Sequence, residues 1–116
     1  MSAFILPLTD ARAVDPEQVG PKAANLASLT QGGLPTPGGF ALTAEAYRHQ
    51  VDYLGIGGLI EQYKIADIPT SRRLSITIRL ALYEKPIALE ILEPLLEAWR
   101  AQRAVARHLP RLHGPW

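Results

Sequence analysis

Gly20-Pro21 and Gly32-Gly33 bracket a segment with helical apolar spacing, and this bracket constrains the fold more than any other feature of the chain. Proline suits the first helical position, because its missing N–H would have had no intrahelical partner there. The glycine pair supplies a helix stop, where a positive φ is commonly needed. Between them Ala23, Leu26 and Leu29, with Ala24 and Ala27 alongside, predict a helix from Pro21. The Pro/Gly-rich run from Leu34 to Gly39 reads as a rigid loop with little entropy to lose. Phe40-Ala41-Leu42 then makes a short strand, and Thr43 is a good N-cap for a helix from Ala44 to about Tyr53, with Glu45 in the favourable first turn.

Lys22 sits in the first turn of the helix opened by Gly20-Pro21. The positive end of the helix dipole disfavours a lysine there. Free N–H groups, that dipole end and an ammonium together attract phosphate. An ordinary surface lysine near a helix start fits the same spacing.

Elsewhere the chain is punctuated in the same way. Phe4-Ile5-Leu6 with Leu8 reads as a short buried strand closed by Thr9-Asp10, and Asp15-Pro16-Glu17 as a turn. Gly55, Gly57 and Gly58 break the chain before Leu59. Pro69-Thr70-Ser71 starts a helix with Leu74, Ile78, Ala81 and Leu82 on one side. Leu74, Ile76, Ile78 and Leu80 also alternate with polar residues, which is strand periodicity; length and the lack of a breaker favour helix. Pro86 begins another helical stretch, Pro94 interrupts or restarts it, and Leu92, Leu95, Leu96 and Trp99 form an apolar face with Trp99 as a core anchor.

A chain of 116 residues holds one small core, and 47% hydrophobic with 20% charged residues fits a globular domain. The absence of cysteine excludes disulfides, thiol catalysis and thiolate metal sites. The spacing of His49, His108 and His113 resembles no common zinc pattern. A net charge of +1 gives no general argument for nucleic acid or membrane. No segment approaches a signal peptide or membrane span, so a cytoplasmic protein is the expectation. Arg100, Arg103, Arg107 and Arg111, with no acid after Glu97, make a basic end. It can meet RNA or an acidic partner, but it lacks the interleaved aromatics of a nucleic-acid module.

The blocks Val19-Gly20-Pro21-Lys22-Ala23-Ala24-Asn25-Leu26 and Gly33-Leu34-Pro35-Thr36-Pro37-Gly38-Gly39-Phe40 resemble the start of the ATP-binding domain of the phosphoenolpyruvate synthase, pyruvate phosphate dikinase and rifampicin phosphotransferase family. Members read V-G-G-K-x-A-N-L-G, then G-L-P-V-P-P-G-F and T-x-x-A-Y, the last matched by Thr43, Ala46 and Tyr47. Pro21 replaces the family's second glycine and Gly38 its second proline. The match is specific over about residues 17–48.

The resemblance implies an α+β fold: a partial ATP-grasp-like N-terminal lobe with one or two short strands and four or more helices, helix-rich in its second half. It implies a lobe over 1–103, then a basic tail over 104–116 where the chain is cut short. In the family ATP is cleaved to AMP and a phosphoryl group passes through a mobile histidine to an acceptor. By the same resemblance Lys22 touches the phosphates, Gly20 opens the loop, and the N–H groups of Ala23 and Ala24 are added donors. Pro21 removes one donor. Asn25 caps or braces the loop or is a helix-surface amide, and Tyr47 and Arg48 cover the site or are a core-edge tyrosine and a solvated arginine. Arg107 is either the family's phosphate-contacting arginine displaced by one position or a coincidence of the Arg-rich tail.

The family's Mg²⁺ ligands, its phosphate-carrying histidine motif and its barrel have no counterpart in this sequence, so the chain alone is not expected to turn over. Three readings follow: the first lobe of such a phosphotransferase, whose partner is the rest of the enzyme; a stand-alone module that binds a partner or regulates a full-length relative; or a basic-tailed nucleic-acid-binding domain.

Overall fold

Two three-residue strands seed the architecture. In the computed structural model, which describes residues 3–106, β1 (Ile5–Pro7) pairs antiparallel with β2 (Phe40–Leu42). The register sets Leu6 opposite Ala41, and both are buried while their neighbours are less so. A 3₁₀ helix (Ala11–Val14) and α1 (Pro16–Val19) follow β1, and α2 (Pro21–Gln31) leads into the loop before β2. The second half is helical: α3 (Ala44–Leu54), α4 (Gly57–Ile65), α5 (Ile68–Glu84) and α6 (Leu89–Ala106). This is the helix-rich α+β architecture the sequence implied.

Local chemistry explains most boundaries. Asp10 caps the 3₁₀ helix, its carboxylate accepting from the Arg12 amide at 2.8 Å and from the Arg12 guanidinium at 2.9 Å. These hydrogen bonds, with the Arg12 charge, hold the Asp10 carboxyl well below its ordinary value, at about 2. Thr43 caps α3: its Oγ1 accepts from the Ala46 amide at 3.2 Å and donates to the Ala3 carbonyl at 2.7 Å. Gly55, at φ 71°, ends α3 in the left-handed region. Asp67 caps α5 through the Thr70 amide, and hydrogen bonding from the Thr70 side chain and then its amide lowers the Asp67 pKa.

Four expected element boundaries need correction. Asp15-Pro16-Glu17 is the start of α1, capped by Asp15, rather than a turn alone. Gly57 and Gly58 do not break the chain before Leu59; they form the first turn of α4. Pro86 does not start a helix: Lys85 closes α5, and Ala88, whose carbonyl accepts from the amides of Ile91 and Leu92, opens α6. Pro94 does not interrupt α6, which runs through it. That proline lies in the second turn, so only the Glu90 carbonyl loses its helical donor.

The core is small and built largely of alanine. Leu6, Leu8, Ala13 and Ala27 form one cluster, with Ala3 and Val19 packed on it. Ala46, Ala88 and Ile91 form a second, with Phe4 against it. On α2 the structure buries Ala24 and Ala27, on the side that packs against α1 and the 3₁₀ helix, and leaves Leu26 and Leu29 partly exposed. Neither α4 nor α5 contains a buried residue, and each is the other's one substantial packing partner among the described residues. Trp99 is 54% exposed and is not the core anchor its sequence context suggested.

Candidate functional site

Gly20 is the joint on which the candidate site turns. It ends α1, donating its amide to the Pro16 carbonyl at 2.8 Å, and it opens α2, accepting from the Ala24 amide at 3.0 Å. Its φ of 83° and ψ of 161° lie in a region that only glycine occupies readily. Pro21 follows at the first helical position, as the sequence indicated.

This geometry narrows the donor set. The first turn of a helix leaves its leading N–H groups without intrahelical partners. Pro21 has none to offer, and the Ala24 amide is already committed to Gly20, so the expected Ala24 donor is not available. The amides of Lys22 and Ala23 remain, and no side chain caps this end of α2. Burial of Ala24 and Ala27 fixes the helix face and leaves Lys22 exposed to solvent. Among the described residues the Lys22 ammonium makes no ion pair. The helix start is therefore electropositive and open.

Beside it runs an apolar groove of about 500 Å³ between the α1–α2 joint, the end of β2, α3 and α6. Val19, Gly20, Leu42, Tyr47, Ile91 and Leu95 are among the residues that line it. Gly20 is the predicted site residue that reaches this groove; Lys22, Ala23 and Ala24 are outside its lining. Tyr47 faces it, whereas Arg48 is engaged by Glu45 on its own helix at 3.3 Å. Asn25 is exposed and makes no side-chain hydrogen bond among the described residues. Arg107 lies outside the described residues. Among those described, no three acidic or histidine side chains gather as a metal ion would require, and no helix is long and apolar enough to cross a membrane.

Sequence reasoning missed two side chains that hold this region together. Gln31, at the end of α2, donates from Nε2 to the carbonyls of Leu8 and Asp10, both at 2.8 Å. Gln50, on α3, lines the groove and bonds the segment entering α6. A glutamine carries no local signal of a long-range backbone partner.

The structure is thus a helix-rich α+β lobe in which α2 starts without a side-chain cap and carries a lysine in its first turn. The chain belongs to the family of the pyruvate phosphate dikinase AMP/ATP-binding domain, whose model matches residues 16–110. It is 33% identical over 87 residues to a phosphoenolpyruvate synthase of Aeropyrum pernix, covering 71% of this chain and 11% of the relative. A Neisseria meningitidis phosphoenolpyruvate synthase is 30% identical over 111 residues, 89% of this chain and 14% of the relative. A prodigiosin-synthesizing transferase of Serratia marcescens is 33% identical over 58 residues, half of this chain and 6% of the relative. The chain thus spans about an eighth of the length of the synthases it matches.

Proposed function

We propose that this chain supplies one wall of an ATP site, with Lys22 and the amides of Lys22 and Ala23 facing the polyphosphate. The observation that carries the reading is the start of α2, where two uncapped amides stand beside a lysine that is exposed and makes no ion pair among the described residues. The family's description as an AMP/ATP-binding domain supports it. Phosphoryl transfer asks a protein for positioning and charge neutralisation around the phosphates, and a lysine acts there as a point charge. Gly20 sets the angle of the helix start. Metal ligands, acceptor and the second wall belong to the remainder of an ATP-grasp-type kinase domain, and the residues described here do not furnish a metal site.

One wall binds weakly. A charge-assisted contact is worth about 1.5–3 kcal/mol net, while association costs on the order of 4 kcal/mol or more, so ATP affinity is expected in the millimolar range at best. Amide chemical-shift perturbation on adding ATP should centre on residues 20–26, weaken with salt, and vanish in Lys22→Ala. Shifts confined to the arginines between Arg100 and Arg111 would overturn the assignment.

A further inference from the structure

Helix α3 holds both ends of the excursion made by α4 and α5. The chain leaves α3 through Gly55 and is fastened at Ile56, which is 5% exposed and donates its amide to the Val51 carbonyl at 3.2 Å. It returns at the wholly buried Ala88, whose amide donates to Oε1 of Gln50 at 2.9 Å. Gln50 and Val51 are neighbours in sequence, so departure and return are pinned side by side on one helix.

Between the two pins nothing is buried. Residues 57–87 include no buried side chain, and Ile65, Ile68, Ile76 and Tyr83 are each more than half exposed. Among the described residues, the side-chain hydrogen bonds and ion pairs of residues 57–85 close within α4, or within α5 and its cap. Helix α4 starts on Gly57 and Gly58 without a side-chain cap, and glycine loses more conformational freedom on ordering than any other residue. The seam toward α3 is underfilled: a cavity of about 350 Å³ there is lined by Tyr47 of α3, Ile60 and Tyr63 of α4 and Ile78 of α5, among others. What holds α4 and α5 in place is chiefly each other.

We propose that α4 and α5 form a hinged arm, which opens as one cooperative unit about Ile56 and Ala88 while the rest of the lobe stays folded. Segments with few buried apolar contacts open at lower free energy than the core, and they do so in contiguous cooperative pieces. Hinges absorb such motion in a few residues at element ends. Gly55 and the link from Lys85 to Ile87 occupy those places here. Because the pins sit on adjacent residues of α3, the arm can open without separating α3 from the start of α6. The proposal does not rest on the ATP reading, since arm and hinges include neither Lys22 nor Gly20.

Native-state hydrogen exchange of the full chain tests it. Scaled to unfolded-chain rates, the amides of α4 and α5 should be protected, but at least about tenfold less than those of α2 and α3. Ile78→Ala, in the seam that both helices line, should speed exchange in α4 and α5 by a common factor of about tenfold or more and leave α2 and α3 within roughly twofold. A variant in which the arm is fully open would show the same pattern at its limit, with protection lost in α4 and α5 alone. Equal protection of all four helices in the wild type would overturn the proposal. So would a response to Ile78→Ala confined to α5, or one spread equally to α2 and α3. Absence of any protection in α4 and α5 of the wild type would overturn it as well, since the arm would then not be a folded unit.

Discussion

The side chain of Gln50 grips both ends of the turn leading into α6: its Oε1 accepts from the Ala88 amide at 2.9 Å, and its Nε2 donates to the Pro86 carbonyl at 3.0 Å. Ala88 is wholly buried, so water is a poor substitute on that side. Gln50→Ala should cost about 1–3 kcal/mol, the penalty of a buried amide left unpaired. Gln50→Glu keeps an acceptor for Ala88 but cannot donate when ionised, so it should fall between the two. Urea midpoints at constant slope measure the series; an unchanged midpoint in the alanine variant would refute the latch.

Thr43 does two tasks with one hydroxyl, capping α3 and tying it to the chain before β1. Thr43→Val keeps the shape and loses both bonds, at a cost of about 1–2 kcal/mol. Thr43→Ser keeps both and should retain most of the stability. Equal losses in the two variants would mean that methyl packing, not the hydroxyl, is what matters.

At Gly20 an added Cβ meets nothing within 4 Å, so any cost of substitution is conformational. Gly20→Ala is expected to destabilise by about 1–3 kcal/mol through its φ of 83°. A D-alanine installed there by peptide ligation should be close to neutral, because positive φ is natural to it. A matching loss with the D-residue would point to an unrecognised steric constraint.

The Asp10 carboxyl should titrate at about 2, held down first by its hydrogen bonds to Arg12 and then by that residue's charge. Its folded value lies below the unfolded value of about 3.9. The stabilisation is therefore fully present above that unfolded value and is lost as pH falls through about 2. Carbon-detected NMR titration of the carboxyl reads this directly, and Arg12→Ala should return the midpoint toward the ordinary range. A wild-type midpoint near 4 would contradict the bonded geometry.

Local punctuation was legible because its causes are local. Pro21, Thr43 and the Phe40–Leu42 strand fall where their chemistry puts them. The alternation from Leu74 to Leu80 resolves as helix, with Asp67 capping and Pro69 tolerated in the first turn. What failed was tertiary. On α2 the buried face is that of Ala24 and Ala27 rather than that of Leu26 and Leu29, and α6 runs through Pro94 although an interior proline costs a helix about 3 kcal/mol. For the site, helix start and lysine were readable, but the commitment of the Ala24 amide to Gly20 and the groove beside it depend on contacts between distant segments.

Alanine fills six of the well-buried positions: Ala13, Ala24, Ala27, Ala41, Ala46 and Ala88. A side chain that small can lose almost nothing, since truncating it further removes a single methyl. Enlarging it is another matter: extra methylenes in a tight interior force backbones apart, typically at about 1–3 kcal/mol and sometimes more. Most cores are most easily damaged by deletion of atoms. This one is vulnerable in the opposite sense, and a valine at Ala27 or Ala88 should do more harm than an alanine at most of its exposed leucines.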